Sequence, residues 1–474
     1  MITDITSAYK NYAVYIPSLQ ESYAEKAISG TYKETRKSKP LPFDESILNF
    51  LDKNSPLWHH NCTLFSCGLF PTSTIEKRSI VAERKRSDTI IVGDSGGFQL
   101  GQNSLKRKET NTFFKNYTDK PNLFAKRWKQ CGEVERVVNF LNAYCDYSMT
   151  LDMVMWGSKQ ANPNSVSPLR NLTVQQLIDL TVENLKYIDA QRSVGNEHKT
   201  KWLNVTQCIG NIDGTNSGLE WYNAVKDFEF EGWAFGGGTA FHFHQLLRWV
   251  RKIINDNKFE NREWIHVLMK SPPSHSILYT VIKHKINQLC NTDIQITYDS
   301  SSASQSVGKQ RSLYQLTELT SDIKTWNMTA VEYVPTKDEI EGTVKTQFPS
   351  WHPLSKFATF NDLVVRKDLH QTSYFDTATW EIMKNYNMYV QHLRAINACD
   401  LYYDDELKNH KRIPTLLLEL AEYANEYLET ENPNDFEKKH TALLKDFDTK
   451  FASIKAALPK TDEGWQNIFA DFEF

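Results

Sequence analysis

Gly232-Trp233-Ala234-Phe235, Trp264-Ile265-His266-Val267-Leu268 and Asp293-Ile294-Gln295-Ile296-Thr297-Tyr298 are short, β-prone apolar runs. Each ends in Gly or a polar residue, and a longer helical stretch separates one run from the next. Their ends fall about 30 residues apart, the length of one strand, crossover and strand. Upstream, similar runs occur at Thr89-Ile90-Ile91-Val92, Tyr147-Ser148-Met149-Thr150-Leu151 and Trp202-Leu203-Asn204-Val205-Thr206. The gap leading into Phe235 has the same length, whereas the two earlier gaps are nearly twice as long and need insertions. Residues 57–299 therefore read as β-α repetition, whose parallel strands close into a barrel or form an open doubly wound sheet. Thr173 to Ala190 is a helix candidate from the spacing of Val174, Leu177, Leu180 and Leu185. Beyond Tyr374 the pattern is helical, with segments at 377–395, 414–430 and 436–458 and Asn432-Pro433-Asn434 as a breaker.

The chain has 474 residues, 40% of them hydrophobic, with 55 Lys+Arg against 58 Asp+Glu, the balance of a globular protein with a sizeable core. No run of about 18 uncharged apolar residues occurs. Met1-Ile2-Thr3-Asp4-Ile5 has neither a signal peptide's pattern nor a transit peptide's, so neither a membrane span nor secretion is expected. Seven scattered cysteines (62, 67, 131, 145, 208, 290, 399) do not form a disulfide framework and point to a reducing, cytoplasmic setting. Charge is uneven along the chain. Residues 366–474 hold 13 Lys+Arg and 20 Asp+Glu, net −7 in a total of −3, which leaves +4 on residues 1–365. Residues 101–130 are locally +6, and their Lys106, Arg107, Lys108, Lys126 and Arg127 interleave with Phe113, Phe114, Tyr117, Phe124 and Trp128. Phosphate contacts beside aromatic platforms suit nucleic acid. The domain reading is an N-terminal segment packing on the barrel (1–56), a β/α unit (57–365) and an acidic helical C-terminal region (366–474).

In parallel α/β folds the chemistry gathers where strands end. The six runs are followed by Asp94-Ser95-Gly96-Gly97-Phe98-Gln99, Asp152, Gln207, Gly236-Gly237-Gly238, Met269-Lys270 and Asp299. This set combines three carboxylates, an amide, exposed glycine backbone and a soft apolar side chain. A guanine-like base presents adjacent N–H donors beside an O6 acceptor, so Asp152, Gln207 and Gly237 complement it. Phe98 and Met269 suit the two faces of a flat ring. Asp94 and Asp299 then remain as a carboxylate pair for retaining glycosyl transfer, one attacking the anomeric carbon and the other acting as acid/base. Taken singly, each has a simpler reading: Asp94 and Asp299 as turn caps, Asp152 as a helix cap, Gln207 as a surface amide, Met269 as core. Only the ordered set makes a pocket. The glycines lack a phosphate loop's spacing, and the histidines at 59/60 and 242/244 lack metal-ligand spacing.

Asp94-Ser95-Gly96-Gly97-Phe98-Gln99, with the later strand-end residues in order, resembles the tRNA-guanine transglycosylase superfamily over about residues 57–310. The resemblance implies a (β/α)8 TIM-type barrel with insertions and a helical C-terminal extension. It also implies exchange of guanine in a polynucleotide for a 7-deazaguanine base. Asp299 would be the nucleophile, Asp94 the acid/base, and Ser95, Phe98, Asp152, Gln207, Gly236, Gly237, Gly238 and Met269 the base-binding set. No cofactor is implied.

The departures from that family carry information of their own. The tRNA enzymes have a zinc site of Cys-x-Cys-x-x-Cys and His after the nucleophile, whereas Cys399 is the only cysteine after Asp299 here. Their Pro-Thr-Arg segment is replaced by Ser300-Ser301-Ser302-Ala303-Ser304-Gln305, and a Glu past the paired glycines is replaced by Thr239-Ala240-Phe241-His242-Phe243-His244. These losses are similar to those of the DNA 7-deazaguanine transglycosylases of bacteria and their phages. The expected partners are therefore DNA and a free 7-deazaguanine base, with the neutral 7-cyano form favoured where no carboxylate meets an ammonium. The alternatives are a zinc-less tRNA enzyme and a non-catalytic nucleic-acid-binding subunit.

Overall fold

The computed structural model describes residues 1–30, 39–192, 200–207, 218–237, 242–269, 271–365 and 375–452. Eight parallel strands close into a barrel: β1 (Val14–Leu19), β2 (Cys62–Ser66), β3 (Ile90–Asp94), β4 (Tyr147–Met149), β5 (Lys201–Thr206), β6 (Gly232–Phe235), β7 (Trp264–Val267) and β8 (Gln295–Ser300). Closure is made by β1, which pairs with β2 at Ser18↔Leu64 and with β8 at Ile16↔Asp299. Parallel strands covered by helices are buried on both faces and read as near-continuous apolar runs, as β2 and β6 do. Inside the barrel, Ile16, Leu64, Val92, Met149, Leu203, Val205, Ala234 and Trp264 pack together, so the lumen is a core and not a pore.

The six runs read from the sequence are β3 to β8. The expected boundary at residue 57 is corrected, because β1 lies within the N-terminal segment and that segment supplies the barrel's first strand. β1 contains Pro17, which has no N–H for a ladder, and a proline in a run argues against an interior strand. Here its carbonyl is used instead, accepting from Thr63 Oγ1 at 2.7 Å.

The helix Val174–Arg192 follows the expected periodicity and opens with a reciprocal cap. Gln176 N–H donates to Thr173 Oγ1 at 3.1 Å, while Thr173 N–H donates to Gln176 Oε1 at 3.0 Å. The long insertion after β3 forms two short helices, Lys108–Tyr117 and Pro121–Arg127. Near the C-terminus, the helix Thr377–Tyr403 is buried along most of its length and packs on the helices Pro273–Cys290 and Ser302–Gln310 and on β1. This helix of the acidic region is thus part of the barrel's outer layer. Two of its buried asparagines are satisfied by neighbouring elements: Asn387 Oδ1 accepts from Tyr314 N–H at 2.8 Å, and Asn385 Oδ1 from Trp58 Nε1–H at 3.0 Å. Among the described residues, no helix is long and apolar enough to cross a membrane.

Candidate active site

At the C-terminal rim of the barrel, Asp94 closes β3, Asp299 lies one residue from the end of β8, and Asp152 and Gln207 follow β4 and β5. Asp152, Gln207 and Asp299 are 8%, 4% and 6% exposed, whereas Phe98 and Met269 are 50% and 47% exposed, so the polar groups are sunk and two apolar side chains stand above them. Phe98 leans on Trp156, their ring centroids 5.7 Å apart. The rim therefore offers an aromatic and a thioether surface over a carboxylate-lined floor.

The glycines after Asp94 have a geometric cause. Gly96 is left-handed (φ +84°), and a Cβ there would come within 2.6 Å of Gly68 Cα. At Gly97 a Cβ would lie 2.4 Å from Asp152 Oδ1, so only glycine lets that carboxylate approach the β3 turn. The turn also fixes Asp94: Ser66 Oγ donates to its Oδ2 at 2.6 Å and Gly96 N–H to its Oδ1 at 3.1 Å. Desolvation raises the Asp94 pKa above the usual carboxylate range, and the Asp299 charge adds to the rise. The bonds from Ser66 and Gly96 and the nearby His266 oppose it.

Asp152 is pushed up to about 7, first by burial and then by the Asp94 charge. Gln207 orients it: Nε2–H donates to Asp152 Oδ2 at 2.6 Å, while Met155 N–H holds Gln207 Oε1 at 2.8 Å. One amide hydrogen of Gln207 thus remains for a ligand. Ser95 is buried and its Oγ donates to Thr150 O at 3.1 Å, tying the ends of β3 and β4 together. Gly236 N–H continues the barrel ladder to Thr206 O at 3.0 Å, and Gly237 turns the chain with φ +55°. Gly238, with Thr239, Ala240 and Phe241 of the expected neutral pocket wall, lies outside the described residues.

Asp299 is clamped by backbone. Met269 N–H donates to its Oδ1 at 3.0 Å, and Met269 holds φ +75°, a region that bulky residues rarely occupy. His266 of β7, fully buried, brings Nε2 to 3.4 Å from the same oxygen. The sequence reading missed Ser66, Trp156, His266 and the backbone role of Met269. Of these, His266 had a usable signal, because it is the one polar residue in the otherwise apolar run Trp264–Val267.

The basic insertion differs from its expectation. Phe113, Phe114, Phe124 and Trp128 are buried against one another as the core of the two short helices, with Phe124 and Trp128 nearly parallel at 5.9 Å, so they are not exposed stacking platforms. Arg107 is not a surface phosphate contact. It turns inward to Glu133 (3.0 Å) and to Cys131 O (3.1 Å), because the buried Glu133 carboxylate needs cations, which Arg107 and Arg136 supply. Lys106 pairs with Glu21 at 2.8 Å, and Arg127 lies over the Tyr117 ring and donates to its hydroxyl. Lys108 and Lys126 are exposed on the insertion, which leaves β3 on the same side as the carboxylates.

A hollow of about 510 Å³ lies at the opposite, N-terminal end of the barrel around Arg192, Glu231 and Arg262. On its wall Arg192 and Glu231 pair at 2.5 Å, and it holds none of the rim carboxylates. Set against known proteins, the chain matches no family model and no curated protein.

Proposed function

We propose that the protein is a DNA guanine transglycosylase, exchanging guanine in DNA for a free 7-deazaguanine base through a covalent glycosyl-enzyme. The observation that carries the reading is that three carboxylates with different surroundings share one barrel rim, each suited to a different task. Asp299 has one oxygen fixed by Met269 N–H and the other open to attack C1′. Asp94, raised by burial and by its neighbour's charge, delivers a proton to departing guanine and takes one from the incoming base. Asp152, backed by Gln207, accepts the N1–H and N2–H donors of guanine, which restore the ionised form that burial disfavours. Phe98 and Met269 cover the ring faces.

The resemblance of residues 94–99 supports the same chemistry. The missing cysteine cluster and Pro-Thr-Arg segment favour DNA over tRNA. A guanine stacked in duplex DNA is out of reach of a rim this deep, so the reading includes flipping or local melting, at a cost of a few kcal/mol. The neutral 7-cyano base is the favoured co-substrate, since residues 239–244 offer no carboxylate to an ammonium. The test is incorporation of labelled 7-cyano- and 7-aminomethyl-7-deazaguanine into DNA and, separately, tRNA. Label entering DNA with the cyano base preferred supports the reading. Label in tRNA alone moves the assignment to a zinc-less tRNA enzyme, and label in neither removes the transferase assignment.

A further inference from the structure

We propose that His266 is a positioning residue for the nucleophile, fixing which oxygen of Asp299 attacks and stabilising the carboxylate when it leaves; the proposal rests on the transglycosylase reading above. Within the barrel, below Asp299, a column of side chains runs through register partners of β7 and β8, with His266 opposite Thr297. Trp264 Nε1–H, which can only donate, gives its hydrogen to Thr297 Oγ1 at 2.9 Å. Thr297 Oγ1 lies 2.9 Å from His266 Nδ1 and 3.4 Å from Ile265 O. Trp264 takes one of the two threonine lone pairs; giving the hydroxyl hydrogen to the nearer acceptor, Nδ1, rather than to Ile265 O places the imidazole proton on Nε2.

That Nε2 is buried, makes no formed hydrogen bond and faces Asp299 Oδ1 at 3.4 Å. A formed N–H···O bond spans roughly 2.7–3.2 Å, and bonds of this kind in unliganded active sites are often long and tighten with substrate. A buried ring nitrogen without a partner costs free energy, and a bond to Asp299 that tightens with substrate would remove that cost.

The consequence follows from electron counting. When the glycosyl ester forms, an Oδ2 lone pair makes the bond to C1′, the C1′–N9 pair leaves with guanine, and Asp94 protonates it. In the second half-reaction N9 of the incoming base attacks C1′, the C1′–Oδ2 pair returns to Asp299 and Asp94 accepts the N9 proton. Met269 N–H and His266 Nε2–H both address Oδ1, which leaves Oδ2 as the nucleophile. Donors to a carboxylate favour its departure more than its attack, so His266 should weigh most on ester breakdown.

The experiment measures two rates in single turnovers, adduct formation from a guanine-containing DNA duplex and adduct breakdown on a chase with 7-cyano-7-deazaguanine. His266→Leu is expected to slow breakdown by about ten-fold or more, the scale of a hydrogen bond to a charged group. Formation falls less, so adduct accumulates, and His266→Gln, which carries an N–H of similar reach, recovers most of the breakdown rate. A purely structural role would lower both steps together through the loss of folded protein. Thr297→Val, close in shape, removes the hydroxyl that sets the tautomer and should shift the same ratio; it decides the matter if His266→Leu does not fold. An unchanged ratio in folded variants overturns the assignment of His266 while leaving the transferase intact. No adduct in the parent overturns both.

Discussion

Asp152 and Asp94 are raised by the same physical cause, burial in a rim of carboxylates, yet the consequences differ because their partners do. Asp152, at about 7 in the folded protein, holds a proton that the unfolded chain releases near pH 4. The folded state therefore binds the extra proton between about pH 4 and 7, and stability falls through that window as pH rises, by up to about 1.4 kcal/mol per unit. Asp152→Asn should flatten this part of a curve of denaturation midpoint against pH. Guanine binding should run the other way, strengthening as pH rises through 7, and calorimetric titration of guanine across pH 6–8 checks it. Gly97→Ala is a second residue-level test. A Cβ 2.4 Å from Asp152 Oδ1 must displace the carboxylate, so guanine affinity should drop at least about ten-fold while the melting temperature shifts by only a few degrees. Asp94, Asp152 and Asp299 were legible in the sequence because each follows or ends an apolar run. Ser66 and Thr297 were not, since a lone hydroxyl inside a strand reads as filler until the register shows what it faces.

The basic insertion shows how an element's charge count misleads. Eight positive charges and five aromatics within residues 101–130 read as a nucleic-acid surface, but the aromatics are the insertion's own core, because two short helices need one to stay folded. Arg107 is an anchor, so Arg107→Ala should cost stability, about 1–3 kcal/mol by urea denaturation, and change DNA affinity only through that loss. Lys108→Glu with Lys126→Glu should do the reverse. Stability should hold, and the slope of log affinity against log salt should shrink by about 0.7–0.9 for each phosphate that is no longer neutralised. An unchanged slope places the nucleic acid elsewhere on the rim. At the same scale, β3 to β8 were legible from their endings and spacing, whereas β1 was hidden by Pro17 and by an apolar run that gives no Gly or carboxylate at its end.

The N-terminal segment and the helix Thr377–Tyr403 are joined in the fold. Tyr9 OH meets His392 Nδ1 at 3.0 Å and Tyr12 OH donates to Asp400 at 2.9 Å, so the segment leading into β1 is held by the helix Thr377–Tyr403. Deleting residues 375–474 should therefore abolish the cooperative thermal transition seen by circular dichroism, because it uncovers β1 and the helices Pro273–Cys290 and Ser302–Gln310 together. The net −7 of residues 366–474 could not reveal this packing, since charge along a chain does not say which face of a helix is buried. What this scaffold is built to hold is the carboxylate set at its rim, and the covalent step at Asp299 is the claim on which the proposed chemistry turns. The direct measurement is to incubate the protein with guanine-containing DNA, denature, and map any protein-nucleic acid linkage by peptide mass spectrometry. A denaturant-resistant adduct is expected on the peptide containing Asp299, absent from Asp299→Asn and released by added 7-cyano-7-deazaguanine. An adduct mapped to another residue, or base exchange that persists in Asp299→Asn, would contradict the assignment of Asp299 as the nucleophile.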